Sequence, residues 1–162
     1  MTVVCGFFGS KYYTQDNFAA AEREVYIDLR QCIVENICVN RSTRVFVSEA
    51  KERQVIGNKT EGALLNLVEA QWHFTNSDTM RSILFDEKKD RIWGFSSEKK
   101  RSTAIVNMTA YVRLYCKGAS EMLLRDCSHY SDETTGEVVY ITSSTRLRLL
   151  KQVLAMSSAG LR

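Results

Sequence analysis

The chain has 162 residues, 22 basic and 19 acidic side chains for a net charge of +3, 44% hydrophobic residues and 25% charged ones. That is the size of one domain with a real core, and it excludes a disordered chain. The charge is too mild to argue for nucleic acid, and no apolar run approaches the roughly 18 residues needed to cross a bilayer.

The elements follow in order. Residues 2–8, TVVCGFF, read as a strand. Residues 19–39 read as one helix, because Val25, Leu29, Cys32, Ile33 and Ile37 recur at helical spacing. STRVFVSE at 42–49 is strand-like, and Gln54-Val55-Ile56 is extended before Gly57-Asn58 breaks it. Ala63, Leu64, Leu67, Val68 and Trp72 then mark a helix face, with Asn58 or Thr60 as its cap and Glu61 in its first turn. SDTMRSILF is another short helix. Three strands follow at 90–96, 102–108 and 111–117, the last two joined by a hairpin. Residues 119–127 are helical, Gly136 makes a turn into a strand, and 144–158 form a last helix. In that helix Leu147, Leu150 and Leu154 are expected to face inward, with Ser143 or Ser144 as cap. Hairpin-linked strands with helices between others predict an α+β fold with a mainly antiparallel twisted sheet flanked by helices, in a single domain over 1–162.

Other classes fall away by motif. The start, MTVVCGFFGSKYY, lacks the basic region and long apolar stretch of a signal peptide. Five cysteines without C-x-x-C spacing and two histidines argue against a zinc site and for reduced, mostly buried thiols. GNKTEG has the glycine spacing of a phosphate loop, but Ala63-Leu64 stand where Lys and Ser or Thr are required. No nucleophile, base and orienter stand out together. Proline is absent, where about eight would be average; no physical reason for that is evident.

LYCKGASEMLL, residues 114–124, sets a cation, Lys117, at the end of a strand beside the small pair Gly118-Ala119. Alone, this is as readily a surface lysine and a turn into a helix as a ligand site. Three stretches together decide otherwise. VIGNKTEGALL (55–65), FSSEKKRSTAIV (95–106) and LYCKGASEMLLRDC (114–127) resemble the nucleotide-binding domain of P-type ATPases, most of all calcium pumps of the plasma-membrane type. ENICVN (35–40) and MSSAGLR (156–162) are similar to that family in the same order. The likeness is weakest at 10–30 and 130–150.

The resemblance implies an ATP-holding domain of a larger pump, with residues 1–8 near the connection to the phosphorylation domain. The phosphorylated aspartate of a D-K-T-G-T loop lies outside this chain, so no catalytic residue and no metal site is expected here. The implied nucleotide-binding residues are Glu61, Phe95, Ser97, Lys100, Lys117, Gly118 and Arg162. Phe95 stacks on adenine, while Trp93 alternates with it on the strand, so that one ring is core and the other pocket. Glu61 accepts from the exocyclic amine of the base. Lys117 attracts phosphate and packs its stem on base or ribose, with Gly118 allowing close approach. Lys100 lies near the phosphates, and Ser97 stands where reticulum-type pumps carry arginine. Arg162 contacts phosphate or ribose.

The implied ligand is ATP, with Mg2+ carried on its phosphates. The implied partners are the phosphorylation and actuator domains of the same pump, with no nucleic acid and no direct membrane contact. The isolated domain is expected to be monomeric, to bind but not hydrolyse ATP, and to lie at the cytosolic face of a plasma or calcium-store membrane. The alternatives are an α+β interaction domain or an RNA-binding module using Lys99, Lys100 and Arg101.

Overall fold

A computed structural model describes residues 1–47, 53–74 and 76–161. The fold is α+β, and every strand pairing in it is antiparallel. Among the described residues the strands are shared among four small sheets rather than gathered into one. β1 (Cys5–Phe8) and β2 (Lys11–Thr14) form a hairpin turned at Gly9, whose φ of 61° suits glycine. The strand expected over 2–8 is therefore only the first arm. The second arm, KYYT, is short and polar at its exposed positions, so it carried no apolar signal.

The helix expected over 19–39 is two helices, α1 (Phe18–Glu24) and α2 (Ile27–Val39). Val25 and Tyr26 between them are extended, with ψ of 131° and 136°. No breaker residue marks this point. The break comes from a distant contact: the Tyr26 amide donates to the Glu133 carbonyl at 2.7 Å, leaving the helical pattern to do so. The Tyr26 ring also occupies the space beside Gly136, where any Cβ would lie 2.3 Å from it. The apolar period ran through the break because Val25 remains buried on the same side as Ala21 and Val34.

β3 (Arg44–Val47) pairs with β4 (Arg53–Ile56), and residues 48 and 49 of the expected strand lie outside the described residues. α3 (Lys59–Asn66) follows. Its cap is Asn58, not Thr60: the Asn58 side chain accepts from the Thr60 amide at 2.9 Å and the Glu61 amide at 3.2 Å. A π-helical turn, Leu67–Gln71, extends α3 to Trp72. α4 is Ser77–Leu84.

β5 (Arg91–Ser96), β6 (Arg101–Asn107) and β7 (Val112–Gly118) form the three-stranded sheet in the order of the chain, as expected. α5 (Ser120–Asp126) comes next. β8 (His129–Ser131) and β9 (Val138–Tyr140) flank the Gly136 turn, so the expected strand has a partner the sequence did not signal. α6 (Ser143–Ser158) is capped by Thr142, one residue before the expected caps, whose Oγ1 accepts from the Thr145 amide at 3.1 Å. Leu147 and Leu154 are exposed rather than inward. α6 is tethered to the end of α5 by the Arg146 guanidinium, which donates to the Leu124 and Cys127 carbonyls; Leu149 and Leu150 are half-buried, and no residue of α6 is fully buried among the described residues. Of the five cysteines, all with free thiols, only Cys38 is buried.

α2 is the spine. One side, with Val34, Ile37 and Cys38, packs into a core formed by Phe18, Ala21, Leu65, Val68 and Trp72. Val39 belongs to the second cluster, with Ala104, Val106 and Tyr115 of the sheet. Between these apolar patches α2 presents a polar row to β7. Glu35 accepts from the Arg113 guanidinium at 2.7 Å and the Tyr115 hydroxyl at 2.5 Å. Asn36 donates to the Cys116 carbonyl at 3.0 Å. Fully buried Asn40 donates to the Ser102 and Tyr115 carbonyls at 3.3 and 3.2 Å. These bonds fix the sheet end that carries Lys117 against the helical core.

Asn40→Ala removes the donor that serves two sheet carbonyls in a buried place. It is expected to lower stability by about 1–3 kcal/mol, read as a shift of the urea midpoint with an unchanged m-value.

Candidate functional site

Glu61 lies in the first turn of α3, 7% exposed, and its carboxylate is the meeting point of three separate segments. Oε2 accepts from the Ser42 amide at 2.9 Å and hydroxyl at 3.1 Å, and from the Thr43 amide at 2.9 Å and hydroxyl at 2.8 Å. Oε1 accepts from the Lys117 ammonium at 3.0 Å. A buried carboxylate is tolerated only when its charge is met by donors and a counter-charge, and here both are supplied. Burial pushes the Glu61 carboxyl up, but the Thr43 hydroxyl, the Lys117 ammonium and the Thr43 amide outweigh it and hold the group at about 2.

Lys117 is the next-to-last residue of β7, its side chain 21% exposed. Burial pulls its ammonium below the ordinary lysine value, and the neighbouring Arg41 and Arg81 charges pull the same way against the opposing pull of Glu61. The two shifts have different causes: the Thr43 donors and the Lys117 charge keep the carboxylate ionised, whereas burial, ahead of the neighbouring arginines, lowers the ammonium. Glu61 uses one of the three ammonium hydrogens, and a side chain that is 21% exposed leaves the ammonium able to donate further.

Gly118 has a structural cause beside any role in ligand approach. A Cβ there would stand 2.3 Å from the Lys100 carbonyl oxygen, and the Ala119 amide donates to that same oxygen at 2.9 Å. Lys100, in the left-handed region at φ 49°, thus brings the β5–β6 turn under the end of β7. Lys100, Lys117 and Gly118 are therefore neighbours through backbone contacts. The side chains of Lys99, Lys100 and Ser97 are exposed, whereas Arg101 is paired with Asp126 at 2.8 Å.

Phe95 and Trp93 are both exposed, at 61% and 53%, so neither is core. The expectation that one of the two would be buried is not met. Their strand is irregular: Trp93 stands opposite Thr103 and Ser96 opposite Arg101, so Gly94 and Phe95 together face Ser102. This bulge breaks the alternation that would give Trp93 and Phe95 one face. It brings Phe95 level with Ser102, whose partner across the next ladder is Lys117. Ser96 now occupies the position Phe95 would have taken. Arg162 lies outside the described residues.

Sequence reasoning singled out Glu61 and Lys117 but not the partners that hold them. Ser42 and Thr43 were read as the start of a strand, although β3 begins only at Arg44. Asn36 and Asn40, spaced i, i+4 in an otherwise apolar helix end, were the available signal for a polar seam. Arg41, with a side chain 2% exposed, donates to the Cys38 carbonyl at 2.9 Å and the Thr43 carbonyl at 2.6 Å and pairs with Asp78. Among the described residues no group of three His, Cys, Asp or Glu side chains could hold a metal ion, and no helix is long and apolar enough to cross a membrane.

Because the folded state depresses the Glu61 carboxyl, its stabilising effect is complete above the unfolded value near 4.5 and is lost as pH falls toward 2. The interval between 4.5 and about 2 corresponds to about 3 kcal/mol as an order of magnitude. Glu61→Gln should therefore lower stability at neutral pH and flatten the loss between about pH 5 and pH 2; denaturant midpoints measured across that range check both.

Comparison with known proteins bears on the chain as a whole. A family model described as P-type ATPase, cytoplasmic domain N, matches residues 28–162. The plasma membrane calcium-transporting ATPase 4 of Homo sapiens is 34% identical over 169 residues, covering 100% of this chain and 13% of that protein. A calcium-transporting ATPase 10, plasma membrane-type, of Arabidopsis thaliana is 35% identical over 63% of this chain and 9% of its own length. The calcium-transporting ATPase PAT1 of Dictyostelium discoideum is 29% identical over 82% of this chain and 11% of its own. The chain thus spans only 9 to 13% of the length of these relatives. The Glu61–Lys117 constellation and its supporting turn sit within the matched region, and the chain belongs to the P-type ATPase cytoplasmic domain N family.

Proposed function

We propose that the chain is the nucleotide-binding module of a calcium-transporting P-type ATPase, holding ATP so that its γ-phosphate reaches an aspartate in a separate phosphorylation domain. The observation that carries this reading is the Glu61–Lys117 pair at 3.0 Å, set beside a strand end that carries an exposed aromatic ring. An exposed Phe95 offers a free face to a purine, and stacking on such a ring contributes about 1–3 kcal/mol. Lys117 offers the unspent ammonium hydrogens to phosphate or ribose, and exposed Lys100 and Ser97 flank the same turn. Gly118 keeps that turn tight. Arg162 and the membership of the actuator domain among the partners rest on the resemblance.

Glu61 has a narrower part than base recognition alone would ask. Its Oε2 is filled by four donors, so only a remaining lone pair on Oε1 is open to an adenine amine. Preference for ATP over GTP is accordingly modest. Mg2+ arrives on the phosphates. Transfer to the aspartate needs closure of one domain on another, so the isolated chain binds nucleotide and does not turn it over. Calcium as the transported ion rests on the names of the relatives, and the cytosolic face of a membrane rests on those names together with the family's description as a cytoplasmic domain.

A single stacked base and a few net hydrogen bonds support a Kd of about 1 mM. Phe95→Ala and Lys117→Ala should each weaken ATP binding about tenfold, with the circular dichroism of Phe95→Ala unchanged because the ring is exposed. NMR titration reads this directly. ATP is expected to shift resonances of Phe95, Lys117 and Glu61 together. Equal binding by parent and both variants would refute the site. Shifts confined to Lys99 and Lys100 on adding RNA, with steep salt dependence, would favour the nucleic-acid alternative instead.

A further inference from the structure

We infer that the turn Arg41–Thr43, between α2 and β3, is the positioning element of the nucleotide site: Ser42 and Thr43 fix Glu61, and Glu61 fixes Lys117. This deepens the ATP-binding reading and rests on it for its functional half. The turn touches the carboxylate through two amides and two hydroxyls, all on one oxygen. That arrangement leaves Oε1 alone to face β7, and Lys117 is the group that meets it.

The Thr43 hydroxyl has one proton and two acceptors within reach, Glu61 Oε2 at 2.8 Å and the Asn58 carbonyl at 3.2 Å. The shorter, charged partner takes it, since leaving a hydroxyl lone pair against a buried carboxylate at that distance is repulsive. The turn itself is held from behind. Arg41 ties the Cys38 and Thr43 carbonyls together and pairs with Asp78 of α4. Arg81 donates to the Arg41 and Val39 carbonyls at 2.8 and 3.2 Å. From the other side Gly57, at φ 126°, brings its backbone within van der Waals reach of Thr43; a Cβ there would stand 3.2 Å from Thr43 Cα. The charged groups around Glu61 are thus Lys117 on β7, Arg41 on the turn and Arg81 with Asp78 on α4. A carboxylate bonded only to Lys117 could swing about its own side-chain torsions. One bound on Oε2 by four donors cannot.

The test is a double-mutant cycle with a titration. Thr43→Val keeps the shape of the side chain and removes the hydroxyl; Thr43→Ser restores it. Carbon-13 NMR of the Glu61 carboxyl and nitrogen-15 NMR of the Lys117 ammonium follow the pair, and ATP titration follows binding. Thr43→Val is expected to raise the Glu61 titration midpoint, shift the Lys117 signal and weaken ATP binding about three- to tenfold, with Thr43→Ser close to the parent. In a Lys117→Ala background the same substitution should leave the remaining affinity unchanged, because its effect passes through Lys117. A purely structural threonine would instead add its full loss to that background. If Thr43→Val is too unstable to study, Ser42→Ala removes one hydroxyl at the exposed side of the turn and should move the same signals in the same direction, less far. An unmoved Glu61 midpoint in both variants overturns the inference. If the parent fails to bind ATP, the nucleotide reading falls, while the two NMR titrations still decide whether the turn positions the pair.

Discussion

A carboxylate that is 7% exposed at the start of a helix constrains everything near it. Left alone, Glu61 would cost several kcal/mol to desolvate as an ion. It is tolerated because three pieces of chain distant in sequence converge on it: the turn at 42–43, the first turn of α3 and the end of β7. Removing any one leaves the others with unpaired polar groups in a place with little water. The ion pair is thus less a source of stability than a condition that selects one arrangement of these segments over others. The helix macrodipole works in the same direction, since Glu61 sits in the first turn of α3, where anions are favoured.

The polar seam along α2 serves the same end on a larger scale. An apolar helix could have packed on the sheet through side chains alone, in several registers. Asn36 and Asn40 bond to main-chain carbonyls of β6 and β7, which exist at fixed spacings, and so lock one register. Glu35, the residue before Asn36, meets Arg113 and Tyr115 of β7. The lock has a cost: the Asn40 side-chain oxygen is buried without a hydrogen-bond partner among the described residues. A helix end that tolerates such an atom gains more from holding two strands than it loses from one unbonded lone pair.

Elements with strong local signals were readable from the sequence: the three strands of the central sheet, the capped start of α3, and α5. What failed to show was set by distant partners. The break at Val25-Tyr26 depends on Glu133, more than a hundred residues away, and no residue near the break announces it. Strands β2 and β8 are short arms stabilised by their hairpin partners, with little apolar content to mark them. Leu147 and Leu154 were expected inward because helical spacing tells which residues share a face, not whether anything covers that face. For the site the same division holds. Glu61, Phe95 and Lys117 were singled out by resemblance, whereas the bulge at Gly94-Phe95 and the grip of Ser42 and Thr43 on Glu61 are matters of register and tertiary contact that no spacing encodes.

If Lys117 meets phosphate as proposed, its pairing with Glu61 also sets what kind of contact that is. At a distance of several ångströms the two charges nearly cancel, so the pair exerts little long-range pull on a triphosphate. What Lys117 retains is directional: ammonium hydrogens aimed by a carboxylate that cannot rotate away. Long-range attraction must come from exposed cations such as Lys99 and Lys100, which carry no such anchoring. On the proposed reading the base is held by a ring free of competing contacts, the ligand is oriented by a fixed donor, and it is drawn in by mobile charge. Such a division favours a weak, quickly exchanging nucleotide whose γ-phosphate stays free to engage a second domain, because one fixed ammonium is a small grip on a triphosphate.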